Sequence, residues 1–304
     1  MLTNNITRYI KLHRALGFKF KLQAYLLYHF ARYAEARGDD TVRNESVLAW
    51  AAEAPSTPQR RLRLLVVRRF ARFMQAEDAR YEVPPRDAFG KPTRERRKAH
   101  LYTAEEIQRL LGAAANLTPK DSLRPATYKT LFSLLVSTGL RISEALALQF
   151  EDMTNDGLLI RETKFRKTRL VPLHPTAREG LERYLVHRRQ IASEDRSIFI
   201  SMWGTQLAYS TVGSVFLELT RSIGLRGGPG SPGPCLHDFR HTFAVRALEA
   251  CPGGKEDIAR HMLALSTYLG HAHPSDTYYY LQATPKLMEE TARASEALFR
   301  GGSA

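Results

Sequence analysis

Between Val83 and His100 the chain reads VPPRDAFGKPTRERRKAH, a span with three prolines and one glycine that neither a helix nor a central strand can cross. The 304 residues are therefore predicted to fold as two bodies, residues 1–95 and 101–304, joined by an extended and exposed connector at 83–100. Each body is long enough to bury a core of its own, since domains commonly run to about 100–200 residues.

The connector is also basic, with Lys91, Arg94, Arg96, Arg97 and Lys98, and it ends a first third whose charge is lopsided. Of a formal net charge of +14, residues 1–100 hold 21 Lys and Arg against 10 Asp and Glu, leaving 24 against 21 for the remainder. Charge this concentrated points to a polyanion, and nucleic acid fits better than an acidic membrane, because no segment joins a basic face to a strongly apolar one. No apolar run approaches the ~18 residues of a membrane span. The opening MLTNNITRYIKLHR lacks the apolar core of a signal peptide. Neither Cys235 nor Cys251 belongs to a CxxC pair, which argues against a disulfide framework or a thiolate zinc site. A reduced, cytoplasmic protein is expected.

The first body reads as helical. Asn4 to Gly38 forms a helical hairpin broken at Gly17, with Ile6, Ile10 and Leu16 apolar on one arm and Phe20, Leu26, Leu27, Phe30 and Tyr33 on the other. A third helix spans Val42 to Ala54. In a fourth, Thr57 caps, Pro58 takes the first helical position, and Leu62, Leu65, Val66, Phe73 and Met74 form the stripe. Its other faces carry Arg60, Arg61, Arg63, Arg68, Arg69 and Arg72 with no acid to pair with them until Glu77, so phosphate contact by part of this row is expected, with Arg61, Arg68 and Arg72 the candidates.

In the second body Thr103 and Glu106 make a capping box, and a helix from about Pro125 runs into STGLRISEALALQF, where Gly139 punctuates and Arg141 opens a short helix. Leu158–Arg161 and Arg169–Leu173 read as strands around TKFRKT, which puts Lys164 near a hairpin tip with Arg166 beside it. Helices follow at about 175–189 and 210–223, with SIFIS between them as a strand, and GLRGGPGSPGPC as a flexible loop before His237.

The stretch from His237 to Tyr280 concentrates the chemistry. His237 and Arg240, three apart, share a helix face, and LGH is followed nine residues later by Tyr280. A phenol near imidazoles and guanidiniums suits attack on a phosphodiester held by positive charge.

TGLRISEALAL, TKFRKTRLVPL, LHDFRHTFA and LGHAHPSDTYYYL, in this order, resemble the tyrosine recombinases, the phage-integrase family, over residues of about 100 to 290. The resemblance implies a mainly α fold with a small β-sheet: an N-terminal helical, SAM-like DNA-clamping domain and a mixed α/β catalytic domain. It implies Arg141 and Arg240 on the scissile phosphate, Lys164 protonating the departing 5′ oxygen and His237 assisting the nucleophile. His271 would donate to the phosphate, Glu144 buttress the site, and Tyr280 form a 3′-phosphotyrosyl link, with neither metal nor ATP. Implied partners are duplex DNA with inverted-repeat core sites and a DNA-induced tetramer of this chain, alone or mixed with sister recombinases. LGHAHPSDTYYYLQATPKLM has the character of transposon-borne members.

Tyr278, Tyr279 and Tyr280 are consecutive, so the choice of Tyr280 rests on the nine-residue step, with Tyr279 the alternative. His241, His261 and His273 lack the thiolate pair or helical carboxylate of a metal site and read as supporting or surface residues. A type IB topoisomerase and a non-catalytic DNA-binding regulator are the rival readings. The separate N-terminal domain argues against the first, and the full set of catalytic side chains against the second.

Overall fold

The computed structural model describes residues 2–91, 98–161, 168–250, 255–270, Thr277 and Tyr280, with the backbone alone for 255–259. The chain folds into two compact units, Met1–Arg96 and Arg97–Ala304.

The first unit is built from α1 (Leu2–Ala15), α2 (Lys21–Ala36), α3 (Asn44–Ala52) and α4 (Thr57–Gln75). Leu2, Ile6, Leu27, Phe30, Trp50, Val67 and Phe70 are fully buried. Each such side chain contributes roughly 1.5–3 kcal/mol by leaving water. The buried stripe of α4 is Leu64, Val67, Ala71 and Met74, flanked by Val66 and Phe70, rather than the expected set that began at Leu62. The 3-4-3 spacing from Leu64 keeps one face inward, and Leu62, two positions earlier, turns outward at 42% exposure. Ser56, not Thr57, occupies the N-cap position of α4, and Leu16, expected in the core, is exposed beyond the end of α1.

Several α4 arginines serve the fold. Arg60 Nε donates to the Ala54 carbonyl at 2.8 Å, and Arg63 Nη1 to the Trp50 carbonyl at 2.9 Å, with its guanidinium 4.9 Å from the Trp50 ring centre. Arg68 donates to the Pro84 carbonyl. Helix α4 thereby closes the α3–α4 turn and holds the start of the connector. The connector is exposed as expected at residues 85–88, Gly90 and Lys91, but not at Val83, Pro84 and Phe89. Tyr81 is buried and accepts from Asn5 at 2.8 Å, while Val83 and Phe89 pack against the helical core. Apolar residues between the prolines draw the segment onto the first unit as far as Gly90.

The second unit contains α5 (Ala104–Ala115), α6 (Leu123–Thr138) and α7 (Ile142–Ala147). A three-stranded antiparallel sheet follows, in order β1 (Met153–Thr154), β2 (Gly157–Ile160) and β3 (Arg169–Val171). Helices α8 (Pro175–Arg189), α9 (Tyr209–Ser222), α10 (His237–Glu249) and α11 (Lys255–Leu269) complete it. The fold is mainly helical with one small sheet, as the sequence predicts. The Thr103–Glu106 capping box starts α5, and Leu158 pairs with Val171 and Ile160 with Arg169 across the hairpin. Helix α6 runs through the core, where Phe132 meets Phe216 of α9 edge-on and Phe239 of α10 tilted, both at 6.0 Å.

Two expectations fail here. SIFIS forms no strand among the described residues: Ser197 and Ile200 make isolated bridges to Gln149 and Gln206, and Ile198 and Phe199 are wholly buried. Their apolar side chains serve the core, with no ladder to join. The glycine- and proline-rich loop before α10 is laced by Arg226, which donates to the carbonyls of Ser231, Gly233 and Pro234 at 2.6–2.8 Å, so it is pinned where flexibility was expected. No helix among the described residues is long and apolar enough to cross a membrane.

Candidate active site

The site gathers where α6 ends, α7 begins, and α10 and α11 meet. Gly139 terminates α6 in the left-handed region at φ 61°, and a side chain there would bring a Cβ within 2.6 Å of the Phe243 ring. Only glycine satisfies both demands, and the sharp exit delivers Arg141 to the mouth of α7. Glu144 Oε2 accepts the Arg141 backbone N–H at 3.0 Å, while its Oε1 accepts from Arg141 Nη1 at 2.8 Å. One short helical turn thus caps itself and fixes its arginine.

Helix α10 presents His237 and Arg240 differently, although they sit three apart on it. His237 is exposed at the first turn, whereas Arg240 is 1% exposed. Asp238 fixes that start by accepting the Cys235 N–H at 2.8 Å. Arg240 Nη1 donates to the Gly139 carbonyl at 3.0 Å and Nη2 to the Leu269 carbonyl at 2.6 Å, so one guanidinium ties the end of α6 to the end of α11. The nearby Tyr280 side chain favours its charge. Tyr280 is itself buried with Ala244, Val245, Leu248, Met262, Leu265 and Leu269. Its ring lies edge-on to His241 at 5.3 Å, and His241 lies edge-on to His237 at 4.8 Å.

The electrostatics follow from this crowding. Burial, and next the charge of Arg141, pull the Arg240 guanidinium down to about 10, against the opposing pull of Tyr280 and Glu144. It remains charged at neutral pH, and an anion placed between the two arginines would relieve both terms of that cost. For Glu144, burial disfavours the charge. The hydrogen bonds and charges of Arg169 and Arg141 outweigh it and hold the carboxyl below its ordinary value. A carboxyl lowered on folding stabilises fully above the ordinary carboxylate range, and the contribution is lost as acid carries the pH down through the lowered value. Glu144→Gln is therefore expected to reduce stability at neutral pH, by about 1–3 kcal/mol. It also flattens the acid limb of a melting-temperature profile; an unchanged limb would assign acid sensitivity to other groups.

Arg141, Glu144, Arg240 and Tyr280 are brought together, and His237 joins them through the His241 ring. Lys164, Arg166 and His271 lie outside the described residues, as do Arg96 and Arg97 of the connector. Arg169, which the sequence marks only as the start of a strand, is part of the site. It donates to both oxygens of Glu144, at 3.1 and 2.9 Å, and to the Tyr268 carbonyl at 2.8 Å. A strand position facing the core was the available signal. Among the described residues no three His, Cys, Asp or Glu side chains converge as metal ligands.

The phage integrase family model matches residues 101–286, which carry Arg141, Glu144, Arg169, His237, Arg240 and Tyr280. The chain belongs to the phage integrase family. It is a tyrosine-type DNA recombinase. Its sequence is 41% identical over 303 residues to the y4rB protein of Sinorhizobium fredii, named as an integrase/recombinase, with 96% of each chain covered. Against the tyrosine recombinase XerD of Mycobacterium tuberculosis the identity is 32%, covering 75% of this recombinase and 70% of XerD. The fold is similar to that of a lambda integrase tetramer bound to a Holliday junction, with TM-score 0.62, 18% identity, and coverage of 92% of this chain and 76% of that one.

Proposed function

We propose that this recombinase cuts and reseals DNA one strand at a time, with Tyr280 as the nucleophile. The Tyr280 oxygen bonds to the scissile phosphorus and the bond from phosphorus to the 5′ oxygen breaks. The phenol proton leaves with the help of His237, and the departing 5′ oxygen takes a proton from Lys164. Attack by a 5′-hydroxyl from a second strand reverses the step. The phosphotyrosyl link keeps the energy of the diester, so religation consumes no ATP. Arg141 and Arg240 hold the non-bridging oxygens and offset the charge that grows as phosphorus becomes five-coordinate. The observation that supports the reading is the buried guanidinium of Arg240, bonded to the carbonyls that end α6 and α11, beside the Arg141–Glu144 pair and the cluster of α10 and α11 in which Tyr280 is buried. Lys164 and His271, as acid and phosphate donor, rest on the motif alone.

Inverted-repeat core sites, exchange through a Holliday junction, and a tetramer formed on DNA, of this chain alone or with sister recombinases, belong to the same reading. The lambda integrase tetramer on its junction supports them. A cytoplasmic location, where the DNA is, belongs to the same reading. The test is covalent capture: the purified chain is incubated with sheared host DNA, denatured and washed, and the retained DNA is sequenced. Fragments joined through their 3′ ends and clustered at short inverted repeats are expected. No denaturant-resistant adduct would overturn the reading.

The first unit would supply sequence-independent grip. Arg60, Arg63 and Arg68 are committed to backbone carbonyls, whereas Arg69 and Arg72 are exposed; Arg61 is half-buried. Arg72→Gln is expected to weaken binding to all duplexes alike and to reduce the salt dependence of log K by about one. Arg63→Gln should instead lower the melting temperature. Equal salt slopes for Arg72→Gln and wild type would remove Arg72 from the interface.

A further inference from the structure

Three parts of the second unit that are distant in sequence meet on one side chain. Arg169 opens β3 with its side chain 11% exposed, and its three donor nitrogens are all engaged. Nη1 and Nη2 grip the two oxygens of Glu144, and Nε reaches the Tyr268 carbonyl in the last turn of α11. Glu144 in turn holds both the backbone and the guanidinium of Arg141. The carbonyl after Tyr268, that of Leu269, is taken by Arg240. Two guanidiniums from different elements therefore satisfy successive orphan acceptors at a helix C-terminus, where the helix dipole favours positive charge.

The fit depends on a second feature. Gly270 lies in the left-handed region at φ 65°, and a Cβ there would stand 2.8 Å from Arg169 Nη1 and 3.0 Å from its Cζ. The absence of a side chain at 270 makes room for the guanidinium, and the next residue is His271.

We infer that Arg169 is a positioning residue of this site, holding the Arg141–Glu144 pair and the last turn of α11 in one arrangement. A lysine cannot replace it, because one ammonium cannot match both carboxylate oxygens and a third acceptor in the fixed fork that a guanidinium provides. Arg169 also carries half of the charge that answers Glu144. Without it the buried carboxylate leans on Arg141 alone and draws that guanidinium away from the phosphate. The inference rests on the recombinase reading above.

The experiment uses the full chain and a duplex carrying the captured site, nicked beside the cleavage position so that the freed 5′ fragment diffuses away. Arg169→Lys is expected to slow single-turnover adduct formation roughly 100-fold, as small displacements of positioned groups do. Binding of the same duplex stays at the wild-type level and the protein remains folded by its melting curve. In a cycle with Glu144→Gln the losses should not multiply: the double variant is no slower than the slower single one. Should Arg169→Lys fail to fold, Gly270→Ala, which displaces the guanidinium from the other side, is read the same way. A wild-type rate in the variant, or losses that multiply, overturns this inference alone. No adduct from the wild type overturns the recombinase reading and this inference with it.

Discussion

Tyr280→Phe is expected to abolish the covalent DNA adduct while leaving the protein folded. The ring sits in the apolar cluster between α10 and α11 and edge-on to His241, and phenylalanine keeps those contacts. What is lost is one oxygen, which lies near enough to Arg240 to favour its charge. Its removal should change stability by no more than about 1–2 kcal/mol. Its chemical role is of another order, because no other atom of the ring can bond to phosphorus and the covalent path closes altogether. On the nicked duplex the wild type should give a slow-migrating band under denaturing electrophoresis, and Tyr280→Phe none, with DNA binding retained. Tyr279→Phe should keep the band. A band from Tyr280→Phe, or its loss in Tyr279→Phe, would move the nucleophile to the neighbouring residue.

The parts of this site legible in the sequence are those made by short-range geometry. Thr103 and Glu106 are three apart, so helical spacing alone brings them together, and the capping box forms as expected; Arg141 and Glu144, also three apart, meet in the same way, though the sequence offered Glu144 only through the resemblance. The break at Gly139 is equally local. Arg169 shows the opposite case. Its partners lie 25 and 99 residues away, and a strand pattern says which way a side chain points without saying what waits there. The core face of α4 was misjudged for a related reason. A helix with Leu62, Leu64, Leu65, Val66 and Val67 in succession offers more than one stripe, and only packing against α2 and α3 selects the one through Leu64. The arginines of α4 look like a free basic row because acids are scarce nearby. Three of them find carbonyl oxygens instead, acceptors that every residue carries and that no composition count reveals.

Arg240→Lys should separate the two duties that this guanidinium performs. The arginine satisfies two buried carbonyls, of Gly139 and Leu269, that lie on different helix ends. A lysine keeps the positive charge, but its single ammonium cannot span both carbonyls in the same geometry. Each buried carbonyl left unpaired costs about 1–3 kcal/mol. Arg240→Ala leaves both, and removes the strut between α6 and α11, so its stability loss should be roughly 2–6 kcal/mol, against about half that for lysine. Activity should fall further than stability suggests. Removing one preorganised donor from a developing oxyanion costs roughly 100- to 1000-fold in rate. Burial and Arg141 already disfavour the charge of Arg240, pulling it down to about 10, so the folded protein holds this cation at an energetic disadvantage below that pH. The unfolded chain keeps the proton to higher pH, and stability contributed by this group therefore rises as pH climbs from about 10 toward the ordinary arginine value. The lysine variant, measured by melting and by single-turnover cleavage of the nicked duplex, should remain folded and cleave at least 100-fold more slowly. Wild-type cleavage by a folded Arg240→Lys protein would show that any cation at this position suffices, and the forked bonding across the ends of α6 and α11 would then be a matter of fold alone.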